Sequence, residues 1–243
     1  MSAAARAAQG AESGIIRRKY FNMCGRFTLS KPKKIKAKDL GLKQSEVDLL
    51  RPRYNITPTQ KVGAILADGS PRLEALRWGL IPRWAKDEKI GSRMINARAE
   101  TIGEKPVFRG LLRDHRCVVL ADGFYEWAGD GKAKQPYFIH LKHGEPFTFA
   151  GLWSAWKNTK GEELKTCTLI TCAPNELMEQ IHNRMPVILD AESRDEWLNP
   201  DNQEIELLTR LLHPYPKSQM EAYPVSKIVN SPTNDTEDCI KPA

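Results

Sequence analysis

The sequence predicts an α+β fold: a single domain built around a curled antiparallel β-sheet with a barrel-like core, and short helices at its periphery. Three observations carry this. Strand-length apolar runs recur from Phe27 to Val225, many of them bounded by Gly-, Pro- or Asp-containing turns. The helix-compatible stretches between them are short. No internal repeat or low-complexity linker follows residue 22, so residues 23–235 read as one domain, with a polar tail at 236–243.

Taken in order, Phe27–Leu29 opens the domain as a strand. Lys31-Pro32-Lys33-Lys34 and the polar stretch to Leu50 read as one or two surface helices, too charged to be core. Arg51 to Pro58 is expected as an extended loop, since its two prolines disfavour helix. Val62–Ala67 and Leu73–Trp78 form a hairpin across the turn Asp68-Gly69-Ser70-Pro71. Gly79 to Trp84 is an irregular apolar loop. Pro106–Asp114 is a short helix with proline at its first position. Arg116–Ala121 is a strand, and Asp122 to Trp127 continues extended with a bulge expected at Gly123. A turn at Asp130-Gly131-Lys132 leads to strands at Tyr137–Leu141 and Phe147–Leu152. A further strand covers Leu164–Thr171. A helix of one to two turns is expected at Asn175–Ile181, then a short strand at Val187–Leu189. Helices at Glu192–Leu198 and Glu204–Leu212 precede a last extended piece, Tyr223–Val225.

The bulk numbers exclude several classes. A hydrophobic share of 41% suffices for a core, and 28% charged residues is ordinary for a soluble surface. No run approaches the ~18 apolar residues of a membrane helix. The net charge is +7, of which residues 1–22 hold +3 and the remainder +4. That mild basicity permits a polyanionic partner without demanding one. Five cysteines without a CxxC pair argue against a disulfide framework and fit a reducing cytoplasm. Cys117, Cys167 and Cys172 lie in strand-like runs, and Cys239 looks incidental in its polar tail. Residues 1–22 are Ala-, Gly- and Arg-rich with no apolar signal region. They read as a mis-assigned start upstream of Met23 or as a segment that is removed. A faint likeness to an organellar transit peptide is the lesser alternative.

Four places carry candidate chemistry. Cys24 follows Met23 directly. Were it the first residue, it would hold an α-amine of pKa near ~8 beside its thiol, a pair suited to an aldehyde: Schiff base first, then ring closure to a thiazolidine. As a small core residue starting a strand it would do nothing of the kind. Glu126 sits among the aromatics Phe124, Tyr125 and Trp127, where burial would raise its carboxyl into a general-acid range, unless strand alternation turns it to water. His182 lies in the polar loop His182-Asn183-Arg184 and is either a base or a structural histidine. Asn96 and Arg98 follow an apolar pair. They suit an amide that orients a nucleophile and a guanidinium that grips phosphate, or else Arg98 and Glu100 simply pair on a solvated face. Trp84 and Trp127 are candidate platforms for unpaired bases, although most tryptophans are core. There is no phosphate-binding Gly-rich loop, HExxH, GxSxG or zinc spacing, so neither a metal nor another cofactor is indicated.

Six motifs occur in one order: Met23-Cys24-Gly25-Arg26-Phe27, Arg53-Tyr54-Asn55-Ile56-Thr57-Pro58, Arg77-Trp78-Gly79-Leu80-Ile81-Pro82, Ile95 to Thr101, Gly123 to Trp127, and His182 to Pro186. With them, the chain resembles the SRAP family from Cys24 to about Asn230. These are the SOS-response-associated peptidases, also called abasic site processing proteins. The resemblance implies a binder of single-stranded DNA that crosslinks to abasic sites and shields them at stalled replication. It implies that Cys24 forms the thiazolidine and that Asn96 holds the amine or the sugar. Glu126 would shuttle protons. His182 would act on the sugar hydroxyl or in the reverse reaction, and would assist β-elimination as a lyase. Arg26 and Arg98 would bind phosphates, Trp84 and Trp127 would stack on bases, and Asn55, Pro58 and Thr171 would line the groove. No cofactor and no membrane are implied. A monomer is expected, in the cytoplasm at the nucleoid, with replication-fork proteins as further partners.

Two features depart from the pattern. A retained extension blocks the Cys24 amine, and Pro106 falls near where some members carry a basic DNA contact. Two other functions remain open on sequence: a thiol autopeptidase using Cys24 and His182 on its own N-terminus, and a non-covalent single-strand binder relying on Arg26, Arg98 and Trp127.

Overall fold

The computed structural model describes residues 24–67, 69–129 and 134–243. The expected turn at 130–132 and the segment 1–22 lie outside them. In chain order the strands are β1 (Phe27–Leu29), β2 (Arg53–Ile56), β3 (Lys61–Leu66), β4 (Leu73–Trp78), β5 (Asn96–Arg98), β6 (Arg116–Ala121), β7 (Gly123–Ala128), β8 (Gln135–Leu141), β9 (Phe147–Lys157), β10 (Glu163–Cys172), β11 (Met185–Pro186), β12 (Ile188–Leu189) and β13 (Met220–Pro224). The helices are α1 (Gln44–Val47), α2 (Pro106–Asp114), α3 (Ala191–Leu198) and α4 (Ile205–Arg210). Together they make the mixed α+β domain that the pattern of short strands predicts.

Five strands close on themselves. β4 pairs with β3, β3 with β6, β6 with β9, β9 with β10, and β10 returns to β4, so the ring has no open edge. The closing pair β10–β4 is parallel, as is β10–β5, within a sheet whose other pairings are antiparallel as expected. A second sheet runs β13-β8-β7-β1-β2 and packs against the barrel. Its inward residues Phe27 and Phe124 meet Trp78 and Phe149 edge to face, at ring separations of 5.1 to 6.1 Å.

Local chemistry explains the details. Gly123 does not form a bulge. It pairs with Thr28, and a Cβ there would lie 2.2 Å from the Phe138 ring, so glycine is required by that close approach. β2 forms where a loop was expected because Pro52 and Pro58 flank the strand and neither interrupts its ladder to β1. The outer N–H groups of Tyr54 and Asn55 on this edge strand both donate to Asp235 Oδ1, at 2.5 and 2.9 Å. The stretch 31–50 is less helical than expected: two 3₁₀ turns and the single turn α1. Its buried Ile35, Ala37, Leu42 and Val47 still join the core. The expected helix at Asn175–Ile181 reduces to a 3₁₀ turn at Met178–Gln180. Cys239 is not incidental: it is fully buried with Tyr125, Phe138, Val225 and Val229.

Arg116 is the largest buried cation, with no exposed surface. Its guanidinium donates to the carbonyls of Trp197 and Asn199 at 2.6 Å each, and to those of Leu112 and Arg113. It ties the C-terminal ends of α2 and α3 together, where carbonyls lack helical partners. Among the described residues no helix is long and apolar enough to cross a membrane.

Candidate active site

β7 decides the orientation of Glu126. Side chains alternate along a strand, so Glu126 shares a face with Phe124, which is core, and opposes Tyr125. The carboxylate is therefore buried, at 3% exposure, rather than turned to water. Burial pushes it up to about 8 from the ordinary 4.5, against the opposing pull of the Cys24 N–H and the Lys134 charge.

Cys24 enters this site just before β1. Its backbone nitrogen lies 2.6 Å from Glu126 Oε1. Its carbonyl accepts from Asn96 Nδ2 at 3.4 Å, which brings β5 against the same residue. Cys24 has φ +45°, in the left-handed region that non-glycine residues rarely occupy. Burial raises its thiol well above the usual range, and the charges of Glu126 and Cys172 push in the same direction. The one atom of Cys24 held by a titratable group is thus its nitrogen.

His182 follows the 3₁₀ turn at Met178–Gln180, with its own N–H on the Met178 carbonyl at 2.7 Å. Its Nδ1 accepts from the Arg184 N–H at 3.2 Å, which puts the proton of the neutral ring on Nε2. Burial lowers its pKa below the usual value, so the ring is neutral at pH 7.

A cavity of 640 Å³ opens over these groups. Arg26, Pro58, Glu126, Trp127 and His182 line it, with Cys24 buried behind Gly25. Elements far apart in sequence thus converge at one end of the β1–β2 pair.

The family model for SOS response associated peptidase (SRAP) matches residues 23–232. The chain belongs to this family. It is 51% identical over 227 residues to the abasic site processing protein YoqW of Bacillus subtilis, covering 90% of this chain and 99% of that one. It is 37% identical over 230 residues to the abasic site processing protein HMCES of Gallus gallus, covering 79% of this chain and 66% of that one. A crystal structure of a Bacteroides thetaiotaomicron protein superposes with a TM-score of 0.77 at 30% identity, over 91% of this chain and 98% of the other.

Not every expected SRAP residue reaches the cavity. Asn55 has no exposed surface, and its amide donates to the carbonyls of Val229, Ser231 and Asn234 while its oxygen accepts from Arg26. It holds the segment that forms the wall rather than lining the groove. Thr171 is likewise buried, its hydroxyl 3.4 Å from the Ala97 carbonyl and its own carbonyl taken by Arg184 at 2.6 Å. Both are polar residues in interior strands, where a side chain must find a protein partner. Arg26 lines the cavity but is engaged: it donates to Asn55 Oδ1, Val229 O and Asn230 O, and lies 5.9 Å from the centre of the Trp127 ring. Arg98 is exposed at the end of β5 and does not line the cavity. Trp84 is 69% exposed on a loop tied to Thr166 of β10, also away from the cavity lining.

Three residues without an assigned role belong here. Lys134 lines the cavity at the start of β8, beside a turn whose sequence marked only a reversal. Asn230 also lines it and accepts from Trp127 Nε1 at 2.8 Å. Arg184 pairs with Glu100 through both guanidinium ends and fixes the His182 loop to β10. Arg184 and Asn230 stand in stretches that match the family, and that was the available signal.

Proposed function

We propose that this protein captures abasic sites in single-stranded DNA by forming a thiazolidine through Cys24, once Cys24 is the N-terminal residue, and so shields the lesion during replication and the SOS response. The observation that carries the reading is the 2.6 Å contact between the Cys24 nitrogen and the buried Glu126, on the wall of a 640 Å³ cavity. The names of relatives such as YoqW, at 51% identity, support the substrate class.

The chemistry follows from the two groups. Glu126 takes a proton from the Cys24 ammonium, and the neutral amine attacks C1′ of the ring-opened sugar aldehyde. The carbinolamine loses water as Glu126 returns the proton to the departing hydroxyl. The Cys24 sulfur then adds to the imine carbon and its proton passes to the amine nitrogen. The sum is amine, thiol and aldehyde giving a thiazolidine and one water. Asn96 steadies the Cys24 carbonyl, and neutral His182 serves the sugar hydroxyl in ring opening or, by proton abstraction, β-elimination. Arg26 and Trp127 bind the strand within the cavity, and Arg98 and Trp84 extend that contact along the exposed surface. The protein acts as a monomer on DNA, and replication-fork proteins are its natural neighbours there.

The test is incubation of protein beginning at Met23, with that methionine removed, with an abasic single-stranded oligonucleotide. A stable adduct that needs no borohydride is expected, absent in Cys24→Ala. No shifted band with the wild type would refute the reading.

A second reading, self-processing, is favoured by two observations: the positive φ of Cys24, and the hydrogen bond from its peptide N–H to Glu126, whose carboxyl burial pushes up to about 8. In it, His182 takes the thiol proton and Sγ attacks the Met23 carbonyl carbon. Glu126 protonates the leaving nitrogen. Water then hydrolyses the thioester, freeing the Cys24 amine. N-terminal sequencing decides it. Release that proceeds in wild type and stops in Cys24→Ala supports it, and identical termini in both exclude it.

A further inference from the structure

We infer that a groove at the opposite end of β1 and β2 from the capture cavity is a second nucleic-acid contact, taking the sugar–phosphate backbone of a strand that flanks the capture site. The inference rests on the DNA-capture reading for its occupant, but not on the covalent step.

Charge distribution is the first support. Residues 30–53 contain eight basic and three acidic side chains, a net +5. Residues 1–22 hold +3, so with a total of +7 everything else together carries −1. The basic character of the folded chain is therefore concentrated in one stretch, which is the footprint expected of a phosphate-binding surface.

Shape is the second. Lys31, Lys33 and Arg51 rim a cleft of 680 Å³, as large as the capture cavity. Its apolar lining comes from the buried Pro32 and Val47, the half-buried Leu50 and the exposed Pro52. A cleft with an apolar lining and cationic rim suits a base below and phosphates above. Lys31 and Lys33 are exposed and make no ion pair among the described residues, whereas Lys34 is held by Glu145 at 2.9 Å and Arg53 by Asp235 at 2.5 Å. Asp48 is the one acidic side chain in the lining.

Position is the third. Leu29 is in register with Arg53, and the chain segments just beyond them, Ser30–Lys34 and Arg51–Pro52, form the groove. At the other ends of the same strands, Arg26 and Pro58 line the capture cavity. Arg26 to Lys31 spans five residues, about 16 Å at strand spacing. That equals about five stacked nucleotides at ~3.4 Å each, so a strand seated in the cavity reaches the groove only if it continues beyond the lesion by several residues.

The experiment is non-covalent binding of undamaged single-stranded DNA to the full chain, followed by fluorescence anisotropy across a salt series. Oligonucleotides of roughly five and roughly twenty-five nucleotides are compared for wild type and the triple variant Lys31→Gln, Lys33→Gln, Arg51→Gln. The long oligonucleotide should lose about two from the slope of log affinity against log salt, at about 0.7 per lost phosphate contact. Its affinity at low salt should fall about tenfold, with the short one unchanged. Lys33→Glu alone, a change at an exposed side chain, should weaken the long oligonucleotide in the same direction and guards against misfolding of the triple variant. An unchanged slope overturns the inference. So does equal weakening for both lengths, which assigns the effect to the cavity. Loss of binding to phosphatidylserine vesicles or polyglutamate with DNA binding intact also overturns it, in favour of a lipid or an acidic protein. Should abasic capture fail while the length-dependent slope persists, the covalent reading falls and this one stands.

Discussion

Asp122 and Glu126 stand four residues apart around β7, at 4% and 3% exposure. Burial alone therefore does not distinguish them; their donors do. Asp122 accepts from Thr28 Oγ1 at 2.5 Å, Ser30 Oγ at 2.9 Å and the Lys31 N–H at 2.6 Å. Glu126 accepts the Cys24 N–H, with a weaker pull from Trp127, and its carboxyl rises to about 8 through burial. A well-supplied carboxylate is a fastener, here locking the end of β1 to the start of β7. An under-supplied one exchanges its proton near neutral pH, which suits a group that first takes a proton and then returns it.

The largest effect should come from Glu126→Gln. The amide keeps the shape but cannot exchange protons, so single-turnover adduct formation should slow by about 10²- to 10³-fold. In the full chain, thermal stability at pH 7 should change little, because the buried carboxyl is already largely protonated there and the amide is likewise neutral. A rate within threefold of wild type would erase the distinction between the two carboxylates. Asp122→Ala should do the reverse. Three donors lose their acceptor, which should cost about 2–4 kcal/mol in urea unfolding, while the adduct rate per folded molecule changes little.

The pH dependence sharpens the same contrast. In the full chain, where the Cys24 nitrogen is a peptide nitrogen, Glu126 titrates near 8 folded and near the ordinary 4.5 unfolded. The folded state binds the proton more tightly, so its contribution to stability is full below about pH 4.5 and lost as pH rises through about 8. Urea midpoints should fall over that window in wild type, more than in Glu126→Gln. Removing residues 1–23 places an ammonium beside the carboxylate, which lowers the folded pKa and flattens the slope. Equal slopes in wild type and Glu126→Gln would show that another group carries the titration.

The two carboxylates also illustrate what was readable from the chain. The strands β3, β4, β6 and β10 were legible because apolar runs end at turn residues. Their closure was not, since the parallel β10–β4 contact joins residues about ninety apart and leaves no local mark. Glu126 could be singled out by its aromatic neighbours, but which side of β7 faces inward depends on β1 and β8. Asn55 and Thr171 stand in the strands β2 and β10, yet their partners, the 229–234 segment and Arg184, are distant in sequence. The same holds for Cys239, whose polar surroundings in sequence conceal an apolar pocket in space. Lys134 left no signal beyond its place next to a turn.

Lys134 offers the smallest and most discriminating test. It lines the cavity with both titrating groups. Burial sets the direction for each, raising Glu126 and lowering His182, and the Lys134 charge lowers both. Lys134→Gln should therefore move the descending limb of the adduct-rate profile to higher pH, by about a few tenths of a unit for a solvent-screened charge. The variant should also lose about 0.7 from the salt slope for single-stranded DNA if its ammonium meets a phosphate in the cavity. The two readouts separate its roles. A slope change with a fixed pH limb makes Lys134 a phosphate contact alone, whereas a shifted limb with an unchanged slope makes it a tuner of Glu126. Neither change would mean that the field at Glu126 is set entirely by burial and by Cys24, and that the charge on the cavity wall acts on neither proton nor strand.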